Sequence, residues 1–127
     1  MPVEFLTHEQ KANYGKFSES PTPEQLNKYF WFDDQDRSII SQMRSEHNQL
    51  GFAIQLGTVR FLGTFLSRPT DVPQNVSSYV TEQLNINLNA LSLYTNERTA
   101  RNHAQEIKLI YNYKDFTEQP YHWRLLR

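Results

Sequence analysis

The seven residues Glu97-Arg98-Thr99-Ala100-Arg101-Asn102-His103 hold side chains of the types that read nucleic-acid bases. Arginine pairs with guanine, and asparagine or glutamine with adenine, each through two hydrogen bonds to one base edge. Ala100, Ala104, Ile107 and Tyr111 recur at helical spacing and make one apolar stripe. Arg98, Arg101, Asn102 and Gln105 fall away from that stripe. Positive charge in the first turn of a helix opposes its macrodipole, so Arg98 and Arg101 need another reason to be there. Base edges would supply one. A solvated helix face with ordinary arginine and glutamine accounts for the same residues, and both readings stand on the pattern alone.

A second polar set lies on the longest apolar stretch, Arg44 to Gly63, RSEHNQLGFAIQLGTVRFLG. Arg44, His47 and Asn48 fall near one end of it and Arg60 near the other. As ligand contacts they would hold phosphates, which position a protein without reading sequence. As structural residues, Asn48 would cap a helix and Arg44 would pair with Glu46 or Asp36. Other chemistry finds less support. His8, His47, His103 and His122 are scattered, and none has a partner at metal-ligand spacing. A lone His103 at the edge of an apolar stripe reads as a packing residue. Asp33, Asp34 and Asp36 sit together where a helix begins, which suits capping better than acid–base work. The four glycines are isolated, so no phosphate loop is written in them.

These residues need helices to position them. Thr7 with Gln10 forms a capping-box pattern for a short helix over 8–14, and Thr22 with Pro23 opens a helix to about Tyr29. Tyr29–Phe32 is an aromatic cluster, either a wedge into the core or a partner patch. Asp33 caps the next helix, with Ile39, Ile40 and Met43 inward and Arg37 and Arg44 on the solvated side. The 44–63 stretch is apolar nearly all round, as a central helix is; Gly51 and Gly57 within it suggest close approach of a neighbouring helix. Pro73 opens a helix to Leu84, Asn87 caps a short one over 88–93, and Thr95 or Asn96 caps a long one to about Asn112. This helix, short helix and long helix follow in the order of a helix-turn-helix reader, whose second helix lies in the major groove. The last residues, 121–127, look like the start of a further helix. The fold expected is all-α, a compact domain of about seven helices over 1–118, with 119–127 beginning a linker or the next helix of a longer protein.

A chain of 127 residues is long enough for one core, and the lack of cysteine rules out disulfides and thiolate metal sites. No apolar run approaches the length of a membrane span, so no membrane partner is expected. The net charge of −1 hides an asymmetry: residues 1–36 hold three basic and seven acidic residues, and the remainder is positive. That is too weak to announce nucleic acid by bulk charge, yet a local basic patch suffices because phosphate attraction is screened over about a Debye length.

Two blocks carry a resemblance. Arg44-x-x-x-Asn48-x-Leu50-Gly51-Phe52-Ala53-x-Gln55-Leu56, followed by Arg60 and Gly63, is similar to the N-terminal domain of Tn-three family transposases, which serve replicative transposons bounded by terminal inverted repeats. Tyr94, Arg98-Thr99-x-Arg101-x-His103, Ile107 and Tyr111-x-Tyr113 agree in order and spacing. One departure is Asn112, where the family often has glycine. The resemblance implies a DNA-binding front of a larger bacterial, cytoplasmic transposase, nucleoid-associated when bound. It implies that this part recognises the terminal repeat as double-stranded DNA. Its partners would be the rest of the transposase chain and a second copy. The acidic, metal-binding catalytic triad would lie downstream, so no cofactor, metal or catalytic residue is expected here. Under this resemblance Arg98, Thr99, Arg101 and Asn102 face the groove, Gln105 and Lys108 lie near phosphates, and Arg44, Asn48 and Arg60 either contact phosphate or tie helices together. The rival reading is an assembly module, with DNA bound elsewhere, motivated by the acidic front and the Tyr29–Phe32 cluster.

Overall fold

The computed structural model describes Phe17 and residues 19–112, so the helix expected over 8–14 and the one opening at 121 lie outside the described residues. Among the described residues there are five α-helices, one 3₁₀ helix and no strand. They are α1 (Pro23–Tyr29), α2 (Asp34–Ser41), α3 (Glu46–Leu62), α4 (Gln74–Leu84), the 3₁₀ helix Leu88–Leu93, and α5 (Glu97–Tyr111). None of these helices is long and apolar enough to cross a membrane.

Local chemistry sets most boundaries. The Thr22 hydroxyl accepts from the Gln25 N–H at 3.1 Å and the Gln25 side chain accepts from the Thr22 N–H at 2.9 Å, a reciprocal box with Pro23 in the first turn. Asp33 and Asp36 repeat the device at α2, at 2.8 and 3.2 Å. The chain does not run straight from α2 into α3. It breaks at 42–45, and Ser45 caps α3 in the place anticipated for Asn48, its hydroxyl accepting from the Asn48 N–H at 3.4 Å. Asn87 caps the 3₁₀ helix and Asn96 caps α5. Pro73 precedes α4 and offers no side-chain cap. Asn112 closes α5 with φ of 60°, a left-handed conformation that asparagine tolerates best after glycine. The departure from glycine at this position therefore leaves the helix end intact.

Helix α3 is the axle. Residues 50–59 are all buried, as are Phe61 and Leu62, and α1, α2, α4, the 3₁₀ helix and α5 all pack on it. Helices α4 and α5 each lean on α3 more than on one another. Phe61 gathers Phe17, Tyr29 and Phe30 around it, with ring centroids 5.7, 5.3 and 6.2 Å away. Tyr29, Phe30 and Phe32 are thus core wedges, and Trp31 alone of that cluster is exposed. The interior glycines admit aromatic rings, not a helix backbone: a Cβ on Gly51 would overlap the Tyr94 ring, and one on Gly57 the Phe30 ring.

Arg37, expected on the solvated side of α2, is half-buried. Its Nε donates to the Phe32 carbonyl at 3.1 Å, and its guanidinium lies 5.4 Å over the Trp31 ring. Gln83 on α4 meets it there, donating to the Phe30 carbonyl at 2.8 Å and accepting from the Phe32 N–H at 2.7 Å. The peptide groups of the loop between α1 and α2 are so satisfied by Gln83 of α4 together with Arg37 of α2.

Candidate nucleic-acid interface

Helix α5 shows one face to the core and one to solvent. Ala100, His103, Ala104, Ile107 and Tyr111 turn inward, while Arg98, Arg101, Asn102 and Gln105 are exposed. At about 100° per residue, Arg98, Asn102 and Gln105 form one outward row. The next residue of that row is Leu109, 80% exposed. Arg101 and Lys108 run along one flank, beside an open groove of ≈410 Å³ walled by Phe65, Ser67 and Pro69. Lys108 lies 5.9 Å over the Phe65 ring. Thr99 falls on the opposite flank with Glu106 and Ile110, its N–H spent on the Asn96 cap at 3.0 Å. The structure thus brings Arg98, Arg101, Asn102 and Gln105 onto one surface and sets Thr99 at its margin.

The second polar set is not one site. Asn48 and Arg60 are twelve residues apart on α3, a rise of about 18 Å. Arg44 is exposed ahead of α3, and Asn48 is half-buried in its first turn. The guanidinium of Arg60 binds inside the fold. It donates to Asp36 through two nitrogens, at 3.1 and 3.0 Å, and stacks 5.4 Å from the Tyr111 ring. Tyr111 in turn donates its hydroxyl to Asp36 at 2.7 Å. Burial alone would raise the Asp36 carboxyl. The hydrogen bonds from Arg60 and Tyr111, the Arg60 charge and the Asp33 N–H outweigh it and hold the group below its ordinary value. Burial and the Asp36 charge push the Tyr111 hydroxyl up. One carboxylate therefore joins α2, α3 and the last turn of α5.

A second buried link holds the other end of α5. Gln55 donates to the Tyr94 hydroxyl at 2.8 Å and to the Ala100 carbonyl at 3.0 Å. That carbonyl only accepts, which fixes the Gln55 amide nitrogen toward α5. The Tyr94 hydroxyl also hydrogen-bonds His103 Nδ1, 2.7 Å away. Burial pushes the His103 imidazole below its ordinary value. His103 packs edge-on to Phe52, centroids 5.3 Å apart, and lies against the Tyr94 ring. It is a satisfied packing residue, and no group of metal ligands occurs among the described residues.

Gln55, Tyr94, His103, Asp36 and Tyr111 are the residues that reading by pattern does not assign to the interface. They stand outside the solvent-facing row and bond the inner side of α5 to the rest of the fold. A signal for four of them was present, since Gln55, Tyr94, His103 and Tyr111 all stand inside the two blocks that carry the family resemblance.

Residues 5–127 match the family described as a domain of unknown function, DUF4158. The chain is 46% identical over its whole length to the transposase for transposon gamma-delta of Escherichia coli strain K12. It is 33% identical over 93% of its length to the transposase for transposon Tn1546 of Enterococcus faecium, and 32% over 76% to that for transposon Tn21 of Escherichia coli. The aligned region spans only 13, 12 and 10% of those proteins. With both motif blocks inside the aligned span and an all-helical fold built around them, the chain belongs to the DUF4158 family and is a relative of Tn-three family transposases.

Proposed function

We propose that this chain is a sequence-specific DNA-binding domain of a transposase, recognising the terminal inverted repeat through the exposed face of α5 and carrying out no strand transfer itself. The observation that carries the reading is the outward row Arg98, Asn102, Gln105 with Arg101 beside it, on a helix anchored at both ends by hydrogen bonds to Gln55 and Asp36. Base-reading side chains must be held by a rigid element to be selective, and these are. The succession α4, 3₁₀ helix, α5 supports a helix-turn-helix mode, with α5 in the major groove. Arg98, Arg101 and Asn102 read bases, while Gln105 and Lys108 contact phosphate. Thr99 takes a marginal contact, and Arg44 and Asn48 are phosphate contacts away from α5. The charge on α5 is three basic against two acidic residues, so attraction to phosphate is local and modest.

The test is a gel shift with terminal-repeat and scrambled duplexes at two salt concentrations. Tighter binding to the repeat, with affinity falling as salt rises, is the expected result. Equal affinity for both duplexes would remove the base-reading role.

One observation favours a second reading. Leu109 and Ile110, 80% and 47% exposed, make the far end of the outer α5 face apolar, as a protein-contact surface is. In that reading the chain is an assembly module of the transposase. Self-association without any DNA shift would favour it.

A further inference from the structure

The first turns of the inner face of α5 carry two small residues, Ala100 and Ala104, ahead of the larger Ile107 and Tyr111. Ala100 and Ala104 give α3 little to interlock with, and interlocking ridges are what normally fix the slide and rotation of one helix on another. The Gln55–Tyr94–His103 chain supplies what the alanines lack. Gln55 reaches the main chain of α5 at Ala100, and Tyr94 reaches its side-chain face at His103, one turn further on. Tyr94 itself is seated against Gly51 of α3, where no larger residue fits. The trio therefore ties α5 to α3 at one backbone atom and one ring atom, and both lie within the turn that carries Arg98, Arg101 and Asn102.

From this geometry we infer that Gln55 and Tyr94 are positioning residues for sequence discrimination, acting through the pose of α5 and not through contact with DNA. The inference rests on the DNA-reading role of α5 proposed above. Its consequence is specific. Attraction to phosphate tolerates a small shift of α5, because a charge acts over a Debye length. Bidentate pairing to a base edge does not, because hydrogen bonds weaken steeply with misalignment. Loss of the trio therefore removes selectivity and leaves general affinity in place.

The test compares the whole chain with Tyr94→Phe and Gln55→Met, measuring dissociation constants for terminal-repeat and scrambled duplexes across a salt series, with circular dichroism as the check on folding. Tyr94→Phe keeps the ring beside Gly51 and removes only the hydroxyl. The expected result is a drop of about tenfold or more in the repeat-to-scrambled ratio, the size of one good base contact. The scrambled-duplex affinity and salt slope stay at the wild-type level. A preserved ratio in both variants overturns the positioning role while leaving the DNA-reading role standing. Equal loss on both duplexes, or unfolding of both variants, also overturns it, since the trio would then serve the fold at large. Failure of the wild-type chain to discriminate overturns the DNA-reading role itself, and this inference with it.

Discussion

Arg60 of α3 grips Asp36 of α2 with two guanidinium nitrogens, at 3.1 and 3.0 Å, and the same carboxylate accepts the Tyr111 hydroxyl from α5. Three helices so meet at one buried charge, with Asp36 only 3% exposed. Its oxygens also take the Asp33 N–H, which makes one aspartate both a capping residue and a core tie. An ion pair of this kind is weak evidence for net stability, because desolvation offsets much of the attraction. Its removal by halves is another matter.

Arg60→Ala leaves the Asp36 carboxylate buried without its countercharge. A fully buried half-pair costs about 3–5 kcal/mol; the Arg60 side chain is 21% exposed, so water recovers part of that. A loss of about 2–3 kcal/mol is expected by chemical denaturation. A double variant, Arg60→Met with Asp36→Asn, should restore part of it, because the amide is uncharged and keeps an acceptor for the Tyr111 hydroxyl. A change within about 0.5 kcal/mol for Arg60→Ala, the range of ordinary surface substitutions, would show the pair to be idle.

Gly51→Ala and Gly57→Ala raise helix propensity by roughly 1 kcal/mol each, yet both should destabilise the fold. The added Cβ meets the Tyr94 ring in one case and the Phe30 ring in the other. Overpacking of this sort costs about 1–3 kcal/mol and sometimes more. Thermal melts should show both variants below wild type. A rise in melting temperature for either would mean the ring can move aside.

Acid should weaken the fold in two stages. Burial pushes His103 below its ordinary value of 6.5. The folded chain then holds fewer protons than the unfolded one just below that pH, so the stability is complete above about 6.5 and falls as pH drops. Asp36 is also depressed, from 3.8, so its contribution is present above that value and is lost as pH falls through the folded one. Denaturation midpoints at a series of pH values should therefore fall from about 6.5 downward, then again below about 4. His103→Gln removes the first decline, and a parallel decline in that variant would assign it to another histidine.

On the DNA side, Arg101→Ala and Asn102→Ala should each weaken repeat binding by about 1–3 kcal/mol and relax selectivity at one position. Lys108→Ala should weaken both duplexes alike and lower the salt slope by about one. Arg60→Ala should leave the salt slope of any folded protein unchanged, because its guanidinium is bound to Asp36. A reduced slope in that variant would return Arg60 to the phosphate contacts.

The sequence alone determined whatever depends on neighbours along the chain. Capping side chains bond to backbone three residues on, so Thr22 and Asp33 marked their helices directly, and Asn96 was one of two neighbouring candidates with Thr95. The run of apolar residues after Asn48 marked α3 as the buried helix, and the spacing of Ala100, Ala104, Ile107 and Tyr111 marked the inner face of α5. Two motif blocks were enough to name the family. Only the tertiary structure decided how the polar residues on those helices are used. Gln55 and Tyr94 are 39 positions apart, Arg60 and Asp36 are 24, and Tyr111 and Asp36 are 75. A hydrogen bond across such a separation leaves no periodicity in the sequence, and an arginine bound to a core aspartate is written with the same letter as one facing a phosphate. Arg60 and Arg101 were alike as residue types. Burial of Asp36 drew one inward, and the apolar stripe of α5 turned the other out.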